Sequence, residues 1–193
     1  MSELREKWDS RYRTALESEI TAAQVLRENR HLLPVKGVVL DLACGRGGNA
    51  LLLARAGFQV EAWDLSPVAI DSLQEMAKRE KLAINAQVRD VLLEPPAPDS
   101  FDIIVVSYFL ERSLAPQLCA ALKPGGLLFY QTFIRDKVST GGPSNPDYLL
   151  AENELLNLFN DLTLRVYREE GSIGDTVKGL RNEAMLVGQR RNI

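Results

Sequence analysis

Residues 38–50 read Val-Val-Leu-Asp-Leu-Ala-Cys-Gly-Arg-Gly-Gly-Asn-Ala: an apolar run holding one aspartate, then three glycines, then a helix-forming segment. A strand that is apolar on both faces has to be covered on both faces, which is the condition of a parallel strand inside an α/β sheet. The strand, 38–43, therefore delivers a turn at the sheet's carboxyl edge, where Gly45 and Gly47 carry no Cβ to hold a ligand off the backbone.

Strand and helix then alternate. The spacing predicts a helix over 49–56 stopped by Gly57, a strand over 59–63 ending at Asp64, and a helix opened by Ser66 as N-cap with Pro67 in its first turn. Ile84, Ala86 and Val88 alternate with polar residues as in a half-exposed edge strand ending at Asp90, and Pro95, Pro96 and Pro98 mark a surface linker. A fourth strand starts at Phe101 and ends at Ser107-Tyr108; a helix over 116–122 leads into Lys123-Pro124-Gly125-Gly126, read as a tight turn before a fifth strand over 127–133. After a glycine- and proline-rich loop over 135–148 and a short helix around Leu155–Leu162, residues 164–168 and 180–187 alternate like an antiparallel hairpin.

Upstream, Leu16, Ile20, Ala23 and Leu26 recur at helical spacing as far as Pro34, and Trp8, Arg11 and Tyr12 form an aromatic-basic cluster. That cluster either packs an aromatic on the domain or forms a lid over the glycine turn. At 193 residues, 46% of them hydrophobic, one core suffices. The expected organisation is one domain over 1–193: a lid and helix over 1–33, then a core over 34–193 whose 133–148 loop faces the substrate.

The 23 basic and 26 acidic residues leave a net charge of −3 and no basic face, so nucleic acid is not a favoured partner. Cys44, Cys119 and His31 form neither a disulfide framework nor a metal cluster. Cys44 reads as a small buried filler. No stretch approaches the roughly 18 apolar residues of a membrane span, and no signal-peptide core follows the charged start. A cytoplasmic protein, monomer or homodimer, is expected.

A ligand lying across the carboxyl edge would meet Asp41, Gly45, Gly47, Asp64 and Asp90. A carboxylate at the end of the second strand suits the two hydroxyls of a ribose. Gly45-Arg46-Gly47-Gly48-Asn49-Ala50 also satisfies the loose dinucleotide pattern, but Asp41 is a poor neighbour for a pyrophosphate and a good one for a positively charged ligand.

The ordered set of Asp41 to Gly48, Asp64, Asp90, Phe101-Asp102-Ile103-Ile104 and Leu122 to Gly126 resembles the motifs of class I S-adenosylmethionine-dependent methyltransferases. Trp8-Asp9-x-Arg11-Tyr12 and Val60 to Asp64 are similar to the small tellurite-resistance and thiopurine-type branch. The resemblance implies a Rossmann-like, mostly parallel sheet of seven strands in the order 3-2-1-4-5-7-6, with helices on both faces and a C-terminal hairpin. It implies S-adenosylmethionine as cofactor and S-adenosylhomocysteine as product. Gly45 to Gly47 would hold the methionine end beside Ala43, Asp41 would reach its ammonium directly or through water, and Arg11, with Trp8 beside it, its carboxylate. Asp64, followed by Leu65, would take the ribose, Asp90 and Val91 the adenine, and Ser107 and Tyr108 would lie near the sulfonium.

Methyl transfer is an in-line displacement at an activated carbon, so alignment does most of the work. Should the nucleophile need a base, Tyr108 and Glu111 are the candidates. Ser107-Tyr108-Phe109-Leu110 departs from the Asn/Asp-Pro-Pro-Tyr/Phe of enzymes that methylate base amino groups. A small-molecule acceptor is expected; an RNA or protein acceptor, or a non-catalytic cofactor-binding module, is the alternative. Arg112, Arg135, Asn145 and Tyr148 read as solvated loop residues at the edge of the substrate pocket.

Overall fold

The structure is a computed structural model that describes residues 2–14 and 20–192. Its elements run α1 (Ser2–Thr14), α2 (Gln24–Glu28), β1 (Val38–Leu42), α3 (Gly48–Arg55), β2 (Gln59–Asp64), α4 (Pro67–Glu80), β3 (Ile84–Val88), β4 (Phe101–Ser107), α5 (Ala115–Ala121), β5 (Leu122–Phe133), α6 (Glu154–Leu158), β6 (Thr163–Glu169) and β7 (Glu183–Gln189). The seven strands form one sheet in the order β3-β2-β1-β4-β5-β7-β6, as the resemblance implies. Strands β1 to β5 pair in parallel, and β7 pairs antiparallel with both β5 and β6. Among the described residues, no helix is long and apolar enough to cross a membrane.

Period-2 alternation divides the core. Val39, Val60, Val105 and Phe129 point to α2, α3 and α4, where they meet Leu26, Leu53, Ile70 and Leu73. Leu40, Leu42, Ile104 and Leu128 point the other way, to Leu118 of α5 and Leu155 of α6. Strand β1 has β2 on one side and β4 on the other, so the chain reverses its direction of winding at the mouth of β1. A crevice at such a switch point is where open α/β sheets bind ligands.

Two expectations need correction. The helix expected from residue 16 begins only at Gln24, because Ala23 is extended (φ −60°, ψ 150°) and its N–H is held by Asn49 Oδ1 at 2.8 Å; Leu16 lies outside the described residues. Lys123 to Gly126 is not a turn ahead of the fifth strand but lies within β5. Phe101 pairs with Leu122 and Ile103 with Leu127, so the excess residues bulge from the ladder, with Gly125 at φ +79° absorbing the bend.

No helix covers the sheet between β3 and β4. Instead Arg89, tied to the carbonyls of Glu94 at 2.9 Å and Pro95 at 3.4 Å, lays its guanidinium 3.8 Å from the ring centroid of buried Trp63. Arg89→Ala removes this cover and its cation–π contact, and is expected to cost about 1–2 kcal/mol in urea unfolding and to red-shift Trp63 emission. An unshifted spectrum would mean that the loop alone covers the ring.

Candidate active site

Asp41 is fully buried at the carboxyl end of β1. Its Oδ2 accepts the Ala50 N–H at 3.0 Å and its Oδ1 accepts Asn49 Nδ2 at 3.2 Å. Both donors belong to the first turn of α3, where free N–H groups and the helix dipole favour a carboxylate. Asn49 Nδ2 also donates to Ser107 Oγ at 3.0 Å. The glycine turn wraps this point: Gly45 and Gly47 have φ of +53° and +81°, and the Thr21 carbonyl oxygen lies 2.2 Å from where a Cβ on Gly48 would stand.

At the end of β2, Asp64 Oδ2 accepts the Gly45 N–H at 2.8 Å and Oδ1 accepts the Ser66 N–H at 2.9 Å. Ser66 caps α4 as expected, accepting from Ala69 N–H at 3.2 Å, and donates its hydroxyl to Asp9 of α1. The Tyr12 hydroxyl stands 3.0 Å from the position of a Cβ on Gly45. Trp8 stacks on Tyr12 with centroids 5.8 Å apart, and the Arg11 guanidinium lies 5.5 Å from the Trp8 ring centroid. Helix α1 thus packs its aromatics on the domain and covers the glycine turn at once. Burial, with Asp64 next, pushes the Tyr12 phenol well above its ordinary pKa.

Asp41, Asp64, Ser107, Gln131 and Glu183 share the parity of Val39, Ala62, Val105, Phe129 and Met185, so all five lie on the α2–α4 face at one end of five strands. Gln131 Oε1 accepts the Val25 N–H at 2.6 Å, while its Nε2 donates to Glu183. Asn49 and Gln131 together pin the start of α2 over the sheet edge. Tyr108, with φ +57°, lays its ring 5.2 Å from that of Phe133, onto which the loop brings Gly142.

Comparison with known proteins places this architecture. The methyltransferase-domain family matches residues 39–126, the stretch from β1 to the bulge in β5. Residues 39–126 thus match a methyltransferase domain, and the chain resembles the class I S-adenosylmethionine-dependent methyltransferases. Within them it resembles the TehB branch: a probable S-adenosyl-L-methionine-dependent methyltransferase TehB of Haemophilus influenzae is 31% identical over 68% of this chain and 48% of its own length. Hemagglutinin 1 of Eikenella corrodens is 34% identical over 67% of this chain and 45% of its own. A ubiquinone biosynthesis O-methyltransferase of Coxiella burnetii is 39% identical over 51% and 44%. The chain therefore spans about half the length of the curated relatives it matches. The crystal structure of TehB from Haemophilus influenzae shares the fold, with a TM-score of 0.70 at 23% identity, covering 97% of this chain and 67% of that one.

The residues that the methyltransferase resemblance assigns to the cofactor fall into two groups. Ala43, Gly45, Gly47, Asp64, Leu65 and Ser107 stand at the ends of neighbouring strands, with Tyr12 of α1 against Gly45. Asp41 sits beneath them with both oxygens engaged by α3, so its visible work is to hold the helix. Asp90 caps the turn after β3, accepting the Leu92 N–H at 3.0 Å, while Val91 is buried near Trp63. Glu111 accepts the N–H and hydroxyl of Ser113 at 3.1 and 2.7 Å, capping a 3-10 turn. Arg112 is no solvated residue: it pairs with Glu154 at 2.5 Å and holds the Asp147 and Leu149 carbonyls, which staples the long loop to α6. Cys44 is a buried thiol whose pKa burial drives up, as suits a filler. Asn49, Gln131 and Glu183 are the participants that sequence reading passed over. Polar side chains at core parity were their only signal.

Burial pushes Asp41 up to about 7, against the pull of Asn49 and the Ala50 N–H. A carboxyl whose folded pKa lies above its unfolded one contributes stability that is complete below the unfolded value, 3.8, and is lost as pH rises through about 7. Asp41→Asn cannot titrate. The stability of wild type relative to Asp41→Asn, measured by guanidinium unfolding, is expected to be greater at pH 4.5 than at pH 7.5 by up to about 3 kcal/mol. A difference independent of pH would show that Asp41 stays ionised throughout.

Proposed function

We propose that the protein transfers the methyl group of S-adenosylmethionine to a small-molecule nucleophile. The observation that carries this reading is the enclosure of the carboxyl edge. Trp8 and Tyr12 cover the glycine turn at one end, and Tyr108 and Phe133, under the 133–148 loop, wall the other. An edge flanked by aromatic side chains at both ends suits a compact acceptor. The names of the Coxiella and Haemophilus relatives are in keeping with it.

In this reading the Gly45 turn receives the methionine end of the cofactor and Asp64 the ribose. Each Asp64 oxygen accepts one backbone N–H and keeps a second lone pair for a hydroxyl. Arg11 meets the carboxylate, and Asp90 with Val91 the adenine. The cofactor supplies a methyl carbon activated by positive sulfur; the protein aligns the acceptor behind it and excludes water. Because Tyr12 lies against Gly45, admission of the cofactor requires α1 to shift.

Calorimetry with S-adenosylmethionine and S-adenosylhomocysteine, followed by turnover with phenols, thiols, chalcogen oxyanions and RNA, tests the reading. Saturable binding of both cofactor forms and turnover of a small acceptor are expected. Binding without turnover would make the protein a cofactor-binding module, and no binding would end the reading.

A further inference from the structure

Glu183 opens β7 opposite Phe133 of β5, at the sheet end where Ser107 and Tyr108 leave β4. Its half-buried carboxylate accepts a hydrogen bond from Gln131 Nε2, and the Tyr108 hydroxyl lies beside it. Among the described residues no salt bridge compensates it. A half-buried carboxylate held by one neutral donor keeps acceptor capacity and gains little stability from its charge.

Two further features aim this group at the reaction. Tyr108 takes a left-handed backbone conformation that a bulky side chain rarely adopts, and strain of this kind persists where the surroundings hold a residue for use. Its ring is wedged against Phe133 and nearly half exposed, so the phenol is open to solvent while lying beside Glu183. Gln131, fully buried and anchored by the Val25 N–H, fixes the carboxylate from behind.

Resting on the methyl-transfer reading above, we propose that Glu183 is the terminal proton acceptor of the reaction, reached through Tyr108, and that the acceptor class is therefore one that attacks through an oxygen still carrying its proton, such as a phenol or enol. The acceptor oxygen forms the new bond to the methyl carbon as the carbon–sulfur bond breaks, its electron pair leaving on sulfur. The acceptor's proton passes to the Tyr108 oxygen while the Tyr108 proton passes to the Glu183 carboxylate. A sulfonium, a hydroxyl and a carboxylate become a thioether, a methyl ether and a carboxylic acid, so charge and protons balance. An acceptor that arrives as an anion needs none of this.

The groups that set the pH response are few. Gln131 from β5 bonds to Glu183, Tyr108 from the end of β4 lies beside it, and Arg27 of α2 acts on Tyr108. Burial raises the carboxyl above its ordinary range, and burial with Glu183 holds the Tyr108 phenol up at about 12.

Glu183→Gln keeps an acceptor oxygen for Gln131 and removes only the titration. In the full-length protein it is expected to lower kcat on a phenolic acceptor by about 100-fold or more, with the acidic limb of the pH–rate profile lost. Turnover of an aromatic thiol already ionised at the assay pH should change less than threefold, and cofactor affinity should not change. Equal losses on both acceptors, or a surviving acidic limb, would overturn the relay. Wild-type protein that binds cofactor and turns over no acceptor would overturn the methyl-transfer reading itself and the proton role with it. A readout independent of turnover is the ultraviolet titration of the Tyr108 phenol, assigned by difference from Tyr108→Phe. Its pKa should fall toward the ordinary value of 10 in Glu183→Gln, and an unmoved titration would sever the pair.

Discussion

Replacing Gly48 with alanine is expected to remove about 2–4 kcal/mol of folding stability, although alanine is the better helix former. The added Cβ would meet the Thr21 carbonyl oxygen at 2.2 Å, its carbon at 2.6 Å and the Ala22 nitrogen at 3.1 Å. Those are backbone atoms, and the chain there cannot withdraw freely. The Ala23 N–H is held by Asn49 at 2.8 Å and the Val25 N–H by Gln131 at 2.6 Å, so retreat breaks buried hydrogen bonds worth about 1 kcal/mol each. Gly57→Ala is the matched control: its φ of +92° gives backbone strain, but nothing lies within 4 Å of the new atom. Urea unfolding of the two variants should rank Gly48→Ala as the more damaging by more than 1 kcal/mol. A Gly48→Ala protein as stable as wild type would show that the crossing at Thr21 is looser than the structure has it.

The second large effect is expected on the cofactor. Asp64→Ala should weaken S-adenosylmethionine binding by about 1–3 kcal/mol, or roughly 5- to 150-fold, because the ribose loses its acceptor and the turn loses its brace. The Gly45 and Ser66 N–H groups, at 2.8 and 2.9 Å from the carboxylate, would both be left without a partner in a site only 7% exposed. Isothermal titration on fully folded protein separates the two contributions when Asp64→Asn is included. The asparagine keeps one acceptor oxygen for the turn but cannot accept from both ribose hydroxyls, so its affinity should fall while its melting temperature moves less than that of the alanine variant. Native affinity in Asp64→Asn would leave Asp64 a brace for the turn and nothing more.

Asp64 and Asp41 illustrate how much of the site was legible beforehand. Each is a carboxylate in an apolar strand followed by a turn, and that pattern alone places it at the carboxyl edge. Its partners were not legible. Asp41 looked suited to an ammonium, and only the structure shows that Asn49 and Ala50 each donate to one of its oxygens, because the helix that follows the turn folds back onto the strand. Glu111 read as a candidate base and Arg112 as a solvated loop residue; in the structure Glu111 caps a 3-10 turn and Arg112 pairs with Glu154. Glu183 lies in the final hairpin, far along the chain from Ser107, and nothing local to residue 183 points at the reaction.

The sequence by itself determined the strand and helix alternation, the glycine turn and the edge that carries it, and the closing hairpin. Each of these follows from short-range rules: side-chain period, glycine at positive φ, proline and caps at helix starts. Only the tertiary structure decided that α1 lies on the glycine turn, that Arg89 does the work of a missing helix, and that five polar residues form a row across five strands. Those depend on the register between strands and on which surfaces are left to be covered. Register is set by contacts between residues tens of positions apart, so a local pattern can state a residue's face without naming its neighbour.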